Sequence, residues 1–373
     1  MKIAAHHLES LDVFRGVTIA AMILVNNPGD WGSVFAPLLH AYWTGITAAD
    51  LVFPWFIFIM GFAMPFALAR RHEQGHARTR LYGRILRRVA WLIVLGLVLN
   101  AVAALPSVAP LRIPGILQRI ALAYLVASVL VLHLDEAGWV VAIAALLIGH
   151  WALLTQVPFD GLPAGTLTPE HNFARHLDTV VLGSHAVTRT LDPEGLLGII
   201  PSAATALIGA LLGDIVRRVS TDWVRIRVLV IAGAVTLAAG AGWARVLPLS
   251  KPLWTGSYVL VVTGLAMLVM AVMYVVIDVA GWRSWARPFV WLGVNPLAIY
   301  FLSDVVGHLL EQPWVHQSSG RTTPKGWIVW GRIEPALRPL RVEWASLLFA
   351  VAFTLLWIAV AGILYRRRIR IQV

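Results

Sequence analysis

Residues 256–279 read GSYVLVVTGLAMLVMAVMYVVIDV and hold one charged side chain, Asp278, in twenty-four positions. A run this long and apolar predicts a helix that crosses a bilayer, because about 20 helical residues cover the hydrocarbon core. Nine similar runs lie at 10–28, 47–69, 85–105, 115–133, 137–155, 194–216, 226–246, 287–310 and 344–365. We therefore predict an all-α polytopic membrane protein of about ten transmembrane helices, forming a single domain over residues 1–373.

The composition of the 373-residue chain agrees with this class. It is 59% hydrophobic and 13% charged, with a mean hydropathy of +0.76. An average soluble domain is about 25% charged, so a water-soluble globule is excluded, as are disordered, fibrous and nucleic-acid-binding proteins. The chain has no cysteine, which excludes disulfides, thiolate metal sites and a cysteine nucleophile. No cluster has metal-ligand spacing, and we expect no metal.

The basic residues predict the orientation in the membrane. Arginines cluster at 70–88, 217–227 and 366–370, which fall on one side if the chain crosses ten times. The positive-inside rule then places both termini in the cytoplasm. The long loops 29–46, 156–193 and 311–343 lie on the other side. The last of these loops argues against the assignment, because it carries five basic residues: Arg321, Lys325, Arg332, Arg338 and Arg341.

Polar residues within the apolar runs are candidates for function, because burying them in a membrane is costly. The first run holds Asp12 and Arg15, three positions apart on one helical face. They form either an ion pair at the cytoplasmic edge or, through the guanidinium of Arg15, a phosphate site. Asn26 ends the same run, where it either caps the helix or supplies the amide donors of an oxyanion hole.

A histidine lies in the loop before the second run. His40 precedes Asp50, which we expect at the N-terminal cap or in the first turn of the second helix. A loop pinned by a capped helix would hold His40 over the helix ends. Imidazole transfers protons near neutral pH and can carry an acyl group, so His40 is either a surface histidine or a catalytic one.

Further polar residues lie at the outer ends of other runs. Arg112, Gln118 and Arg119 open the fourth run, where a salt-bridge role and an anion-binding role are equally open. Asp192 and Glu194 precede the sixth run, either as helix caps or as ligands of a substrate amine. The same loop adds two more candidates for an acceptor pocket, Asp178 and His185.

The ninth run contains a proline and an acid–histidine pair. Asn295 and Pro296 predict a kink, because proline cannot continue the hydrogen-bond pattern of a helix. Asp304 and His308 are four positions apart and share a face. They are either a proton relay or a satisfied buried pair.

Several of these residues belong to longer stretches that resemble a known family. Residues 11–16 (LDVFRG), 25–26 (VN) and 40–61 (HAYWTGITAADLVFPWFIFIMG) resemble the heparan-α-glucosaminide N-acetyltransferase family. The resemblance continues at 112–119 (RIPGILQR), 192–198 (DPEGLLG), 253–258 (LWTGSY) and 293–300 (GVNPLAIY), and so covers essentially the whole chain. It implies a single transmembrane acyltransferase domain in a multi-pass protein of the bacterial inner membrane, where bacterial relatives reside.

The resemblance also implies an activity and its residues. The family transfers acetyl from cytoplasmic acetyl-CoA to the amine of a terminal glucosamine across the membrane. Its active-site histidine matches His40 and its asparagine matches Asn26, while we expect Asp50 to orient His40. Candidates for binding acetyl-CoA are Arg15, Arg112, Gln118, Arg119 and Asn295. Candidates for binding the sugar are Asp178, His185, Asp192 and Glu194. The implied partners are acetyl-CoA, an amino sugar or glycan end, and the lipid bilayer, with no nucleic acid; a homodimer is left open.

Two other functions fit the same sequence. An inner-membrane transporter for an amino sugar of the N-acetylglucosamine type would use ten spans, a proline-kinked helix and polar residues near the midplane. An O-acyltransferase of a cell-surface glycan would use the same chemistry on a hydroxyl. Against the transporter, the sequence contains no inverted repeat.

Overall fold

A computed structural model of the chain describes residues 8–69, 78–105, 110–186, 191–317, 320–337 and 340–371. Its helices and strands are α1 (Glu9–Asn26), α2 (Ala48–Met64), α3 (Arg78–Ala104), α4 (Ile116–His133), α5 (Glu136–Gln156), α6 (Phe173–Leu182), α7 (Ile199–Arg218), α8 (Asp222–Trp243), α9 (Gly256–Met273), α10 (Arg287–Val294), α11 (Pro296–Leu310), β1 (Val315–Gln317), β2 (Gly320–Thr322), α12 (Pro324–Ile328), α13 (Glu334–Ala336) and α14 (Glu343–Arg366). The strands β1 and β2 pair antiparallel, with Val315 opposite Thr322.

The all-α polytopic class is confirmed. Among the described residues, eight helices are long and apolar enough to cross a membrane: α2, α3, α4, α5, α7, α8, α9 and α14. Helix α1 has 18 residues but carries Glu9, Asp12 and Arg15, so its composition is less apolar than that of the eight. It nevertheless packs into the bundle and buries Val13, Phe14 and most of its other apolar side chains.

The predicted kink in the ninth run is confirmed, and the helix is broken there. Helices α10 and α11 meet at an angle of 87°. The break falls at the predicted kink, because Asn295 leaves the helical conformation (φ −125°, ψ 49°) and Pro296 begins the next helix. The Asn295 side chain fills the break by donating to the carbonyl of Ile369 (2.9 Å) and accepting from the N–H of Ile371 (2.8 Å).

Helices α2 and α7 form the centre of the bundle. In each, 78% of the most apolar stretch is buried within the protein, against 22% in α5 and in α8. Small residues permit close packing of the two axes: a side chain at Gly61 would lie 1.9 Å from the carbonyl oxygen of Ala206, and one at Gly209 would lie 2.2 Å from that of Phe58. Such contacts drive helix association where lipid removes the hydrophobic term.

Loops at one end of the bundle are joined by hydrogen bonds. The Trp43 indole donates to the carbonyl of Leu167 (2.9 Å), and the N–H of Gly45 donates to the carbonyl of Leu249 (2.9 Å). Loop 29–46 is thereby fixed against loop 156–193 and against the segment between α8 and α9. Of the basic residues used to predict orientation, Arg70, Arg71 and Arg338 lie outside the described residues.

Candidate active site

The first turn of α2 organises the loop that precedes it. Asp50 is the third residue of the helix, as predicted, and its carboxylate is fully buried. One oxygen, Oδ2, accepts from the backbone N–H groups of Ala41 and Thr47 and from the Thr47 hydroxyl, all at 3.0 Å. Carboxylates are favourable at a helix N-terminus, where backbone N–H groups are unpaired. Asp50 therefore both caps α2 and holds the loop.

The other oxygen of Asp50 contacts His40. Its Oδ1 lies 2.9 Å from Nδ1 of the imidazole, whose side chain is 43% exposed. A carboxylate that accepts from Nδ1–H leaves Nε2 as the basic nitrogen, which is the usual arrangement of a general base. The Tyr258 hydroxyl donates to the backbone carbonyl of Asp50 (2.6 Å) and ties this turn to α9.

Lys251 completes the cluster and was missed by sequence analysis. Its Nζ lies 2.9 Å from Nδ1 and 3.2 Å from Nε2 of His40, and 3.5 Å from Oδ1 of Asp50. Burial lowers the pKa of Lys251 below its ordinary value, although Asp50 and Glu194 oppose that shift. The contact joins residues 211 positions apart, and the only sequence signal was a lysine five positions before an apolar run.

Asn26 and Asn27 have different surroundings. Asn27 is buried, and its amide nitrogen donates to the carbonyl of Ile23 (2.9 Å), which ends α1. Asn26 is half-buried and lines the cavity beside His40. Its side chain makes no hydrogen bond among the described residues. The helix-ending role thus belongs to Asn27, and the amide of Asn26 is left facing the cavity.

The cavity at His40 has a volume of about 380 Å³. Its inner wall is apolar, with Met22 and Val25 from α1 and Val52 and Phe53 from α2. Its polar wall residues are Asn26, His40, Glu194 and Lys251, with the aromatic side chains of Tyr42 and Trp43 beside them. Tyr42 is 80% exposed, so the cavity opens near the loop surface. An apolar chamber with a few convergent polar groups is typical of a small-molecule site.

An ion-pair network closes one side of this chamber. Arg112 donates through Nε to Oδ2 of Asp192 (2.9 Å) and through Nη2 to Glu194 (2.5 Å) and to the second oxygen of Asp192. Burial opposes the charge of Arg112, but the two carboxylates raise its pKa above the ordinary value. The sequence left salt-bridge and anion-binding roles open for Arg112, and here its guanidinium is occupied by carboxylates.

Arg119 and Asp178 lie behind the network. Arg119 is buried, donates to the carbonyl of Gly195 (3.0 Å), and stacks over Trp254 with its carbon 5.0 Å from the ring centre. Asp178 accepts from the N–H of Leu196 (2.8 Å), and its other oxygen has no partner among the described residues. Burial raises the pKa of Asp178 to about 6. Both side chains brace residues 192–198 from outside the chamber.

The remaining predicted site residues lie elsewhere. Arg15 pairs with Asp12 (3.1 Å) and donates to the carbonyl of Gly293 (3.3 Å). His185 donates to the carbonyl of Leu111 (2.8 Å) and does not line the cavity that holds Asn26 and His40. Asn295 joins the helix break to the C-terminal segment. Gln118 lines a second cavity with Asp304 and His308.

The structure thus groups His40, Asn26, Asp50 and Glu194, and separates Arg15, His185 and Asn295 from them. In the part of the chain described, no group of histidine and carboxylate side chains is arranged to hold a metal.

Comparison with known proteins identifies the family. A sequence model described as heparan-alpha-glucosaminide N-acetyltransferase, catalytic, matches residues 8–244. The chain belongs to this acyltransferase family. The match includes Asn26, His40 and Asp50, whereas Lys251 lies beyond its end.

Two curated members of the family are similar along almost all of this chain. Heparan-alpha-glucosaminide N-acetyltransferase of Homo sapiens is 29% identical over 422 aligned positions, which cover 97% of the chain and 59% of the relative. The protein of the same name from Mus musculus is 27% identical, over 98% of the chain and 60% of the relative. The chain therefore spans about three-fifths of the length of these relatives.

Proposed function

We propose that the protein transfers acetyl from acetyl-CoA to the amine of glucosamine or of a terminal glucosaminide on the non-cytoplasmic side of the bacterial inner membrane. The observation that carries this proposal is the His40–Asp50–Lys251 cluster. It lies at a cavity that also presents the amide of Asn26. Membership of a family whose named relatives are N-acetyltransferases supplies the reaction class.

His40 acts as the general base in this proposal. Its imidazole takes a proton from the sugar ammonium, and the freed amine attacks the thioester carbonyl carbon. As the carbon–sulfur bond breaks, the departing CoA thiolate takes the proton held by His40, and the newly bonded nitrogen releases its second proton to water, which leaves the neutral amide. Asp50 accepts from Nδ1–H and fixes the ring, while the ammonium of Lys251 lies beside the ring and 3.5 Å from Oδ1 of Asp50. General-base catalysis of this kind contributes about 10²–10⁴-fold to the rate.

Asn26 donates to the thioester oxygen as negative charge develops on it. This role is supported by its position on the cavity wall and by an amide that no described side chain engages. The apolar wall around Met22 and Val52 suits an acyl group and the neighbouring part of a pantetheine arm. An oxyanion donor in a site from which water is excluded contributes about 10²–10³-fold.

The phosphates of acetyl-CoA remain at the cytoplasmic end in this scheme. Arg15 is the candidate there, because it lies on α1 eleven positions before Asn26, or about 16 Å along a helix axis. Its present partners are Asp12 and the carbonyl of Gly293. Arg119 is a weaker candidate than the sequence indicated, because it is enclosed behind residues 192–198.

Acceptor profiling tests the proposed function. The full chain, purified in detergent, is incubated with acetyl-labelled acetyl-CoA and with glucosamine, N-acetylglucosamine or glucose. We expect label on the glucosamine nitrogen and none on the two sugars that lack a free amine. Transfer to a hydroxyl of N-acetylglucosamine or glucose would instead favour the O-acyltransferase. Uptake of glucosamine into proteoliposomes without acetyl-CoA, with no product formed when it is supplied, would favour a transporter.

A further inference from the structure

A second cavity adjoins the one that holds His40. It has a volume of about 260 Å³ and lies between α3, α4 and α11. The two cavities share three wall residues, Asn26, Ile116 and Glu194. A ligand in the second cavity would therefore lie on the other side of the amide to which we assign the thioester.

Helix α11 gives this cavity a charged wall. Tyr300, Asp304 and His308 line it at four-residue spacing, which places them on one face of the helix. The His308 Nε2 lies 3.9 Å from Oδ2 of Asp304, beyond hydrogen-bond distance. Arg112, the basic residue of the opposite wall, is held by Asp192 and Glu194. Asp304 therefore brings a carboxylate into a cavity whose arginine, on the opposite wall, is already paired with carboxylates.

Gln118 adds a buried acceptor without a partner. The residue is 7% exposed, and its Nε2 donates to the carbonyl of Ile113 (3.0 Å), while its Oε1 has no partner among the described residues. This oxygen lies against the backbones of Gly96 and Gly115, so closely that a side chain on either would lie 2.1 Å or 2.5 Å from it. Gln118 therefore forms part of the cavity floor, and its oxygen is enclosed by the two glycines.

Asn100 presents an acceptor to the same cavity. Its amide nitrogen donates to the carbonyls of Arg112 (2.6 Å) and Pro114 (2.8 Å). Its oxygen makes no hydrogen bond among the described residues and can accept from a ligand. The cavity thus combines the carboxylates of Asp304 and Glu194 with the amide oxygen of Asn100, and this set recognises a positively charged ligand that carries hydrogen-bond donors. An anion such as a CoA phosphate would meet the carboxylates of Asp304 and Glu194.

We propose that the second cavity is the acceptor subsite, where Asp304 binds the ammonium of an amino sugar and the amide oxygen of Asn100 accepts from one of its hydroxyls. The inference rests on the proposed function and specifies where its acceptor binds. The sugar nitrogen then approaches the thioester past Asn26, which borders both cavities.

Equilibrium binding of glucosamine to the purified full chain, without acetyl-CoA, tests the subsite. We expect Asp304→Asn to raise the glucosamine Kd about 10–100-fold, because a charge-assisted hydrogen bond is lost. The Kd of glucose, which has the hydroxyls but no ammonium, should stay within twofold of the wild-type value. The Kd of acetyl-CoA should also stay within twofold, which shows that the variant is folded. The matched control is Glu311→Gln, whose carboxylate pairs with Lys325 and does not line the cavity.

A second variant tests the floor of the cavity. Gly96→Ala places a methyl against Gln118, so we expect it to weaken the binding of glucosamine and of glucose alike.

The inference is overturned if Asp304→Asn binds glucosamine within twofold of the wild type, if the loss of affinity falls on acetyl-CoA instead, or if the wild type binds no glucosamine. Binding through Asp304 without acetyl transfer would refute the proposed function alone. Transfer with an unchanged glucosamine KM in Asp304→Asn would refute the subsite alone.

Discussion

At the scale of single residues, the chain brings three charged or titratable groups together at one point. Asp50 is fixed by backbone N–H groups, His40 by Asp50, and Lys251 by both. Each group depends on a different loop or helix, so the cluster exists only when the loops at this end are docked. Removing one member therefore tests a particular contact and not the local chain alone.

Lys251 gives the first prediction. Lys251→Met removes the ammonium that lies against His40 and Asp50 while keeping the length of the side chain, and we expect the turnover of acetyl transfer to fall about 10–100-fold. The KM for acetyl-CoA should change less than threefold, because the lysine contacts the ring and not the donor arm. Steady-state kinetics measure both quantities. Arg245→Met, an exposed basic residue of the same loop, is the control and should behave as the wild type.

Asp178 gives a prediction about pH and stability. Burial raises the pKa of this carboxyl to about 6, above its value of 3.8 in an unfolded chain. The folded state therefore holds its proton more tightly, and the stabilisation from this group is complete below pH 4 and is lost as the pH rises through 6. Asp178→Asn should raise the Tm at pH 7.5 by a few degrees and change it little at pH 4. An equal change in Tm at both pH values would contradict the assignment.

At the scale of elements, the contacts between helices depend on glycine. Gly61, Gly209 and Gly213 set the distance between α2 and α7, which together hold the first turn that carries Asp50. The break between α10 and α11 differs from the unwound helices of carriers, where freed backbone groups bind the transported ion. Here Asn295 and the C-terminal segment occupy it. The broken helix thus offers no support for a transporter.

The glycine contacts yield a matched pair of variants. Gly61→Ala brings a methyl to 1.9 Å from the carbonyl oxygen of Ala206, so the two helices must separate. We expect a clear fall in Tm, with a destabilisation of about 1–3 kcal/mol from overpacking. Gly83→Ala in α3 meets no atom within 4 Å and should be neutral or stabilising, since alanine favours the helix. Equal thermal stability of the two variants in detergent would show that α2 and α7 are not closely packed.

At the scale of the whole molecule, hydropathy predicted the helices well, and Pro296 predicted the break. The place of Lys251 in the site could not be predicted, because it depends on a contact with His40, which lies 211 positions away in the sequence. The role of Arg112 was equally open in the sequence, since only the fold brings Asp192 and Glu194 to it. Local sequence patterns thus predicted the helices and the capped loop. Which polar residues share a cavity depends on contacts between residues far apart in the sequence.

The orientation remains a prediction, and the absence of cysteine makes it simple to test. Thr44→Cys lies in loop 29–46 and Arg370→Cys in the C-terminal segment, and both residues are exposed. A membrane-impermeant maleimide added to intact spheroplasts should label the first variant and leave the second unlabelled until the membrane is opened. The reverse pattern would place loop 29–46 in the cytoplasm and exclude an acceptor on the far side.

The central claim is that His40 is the base for acetyl transfer to an amine. The most direct measurement is the turnover of acetyl-glucosamine formation by the wild type and by His40→Ala, each purified in detergent and saturated with acetyl-CoA. We predict that the variant loses about 10²–10⁴-fold in turnover while its Kd for acetyl-CoA stays within threefold of the wild type. Turnover in His40→Ala within a factor of three of the wild type would contradict the claim.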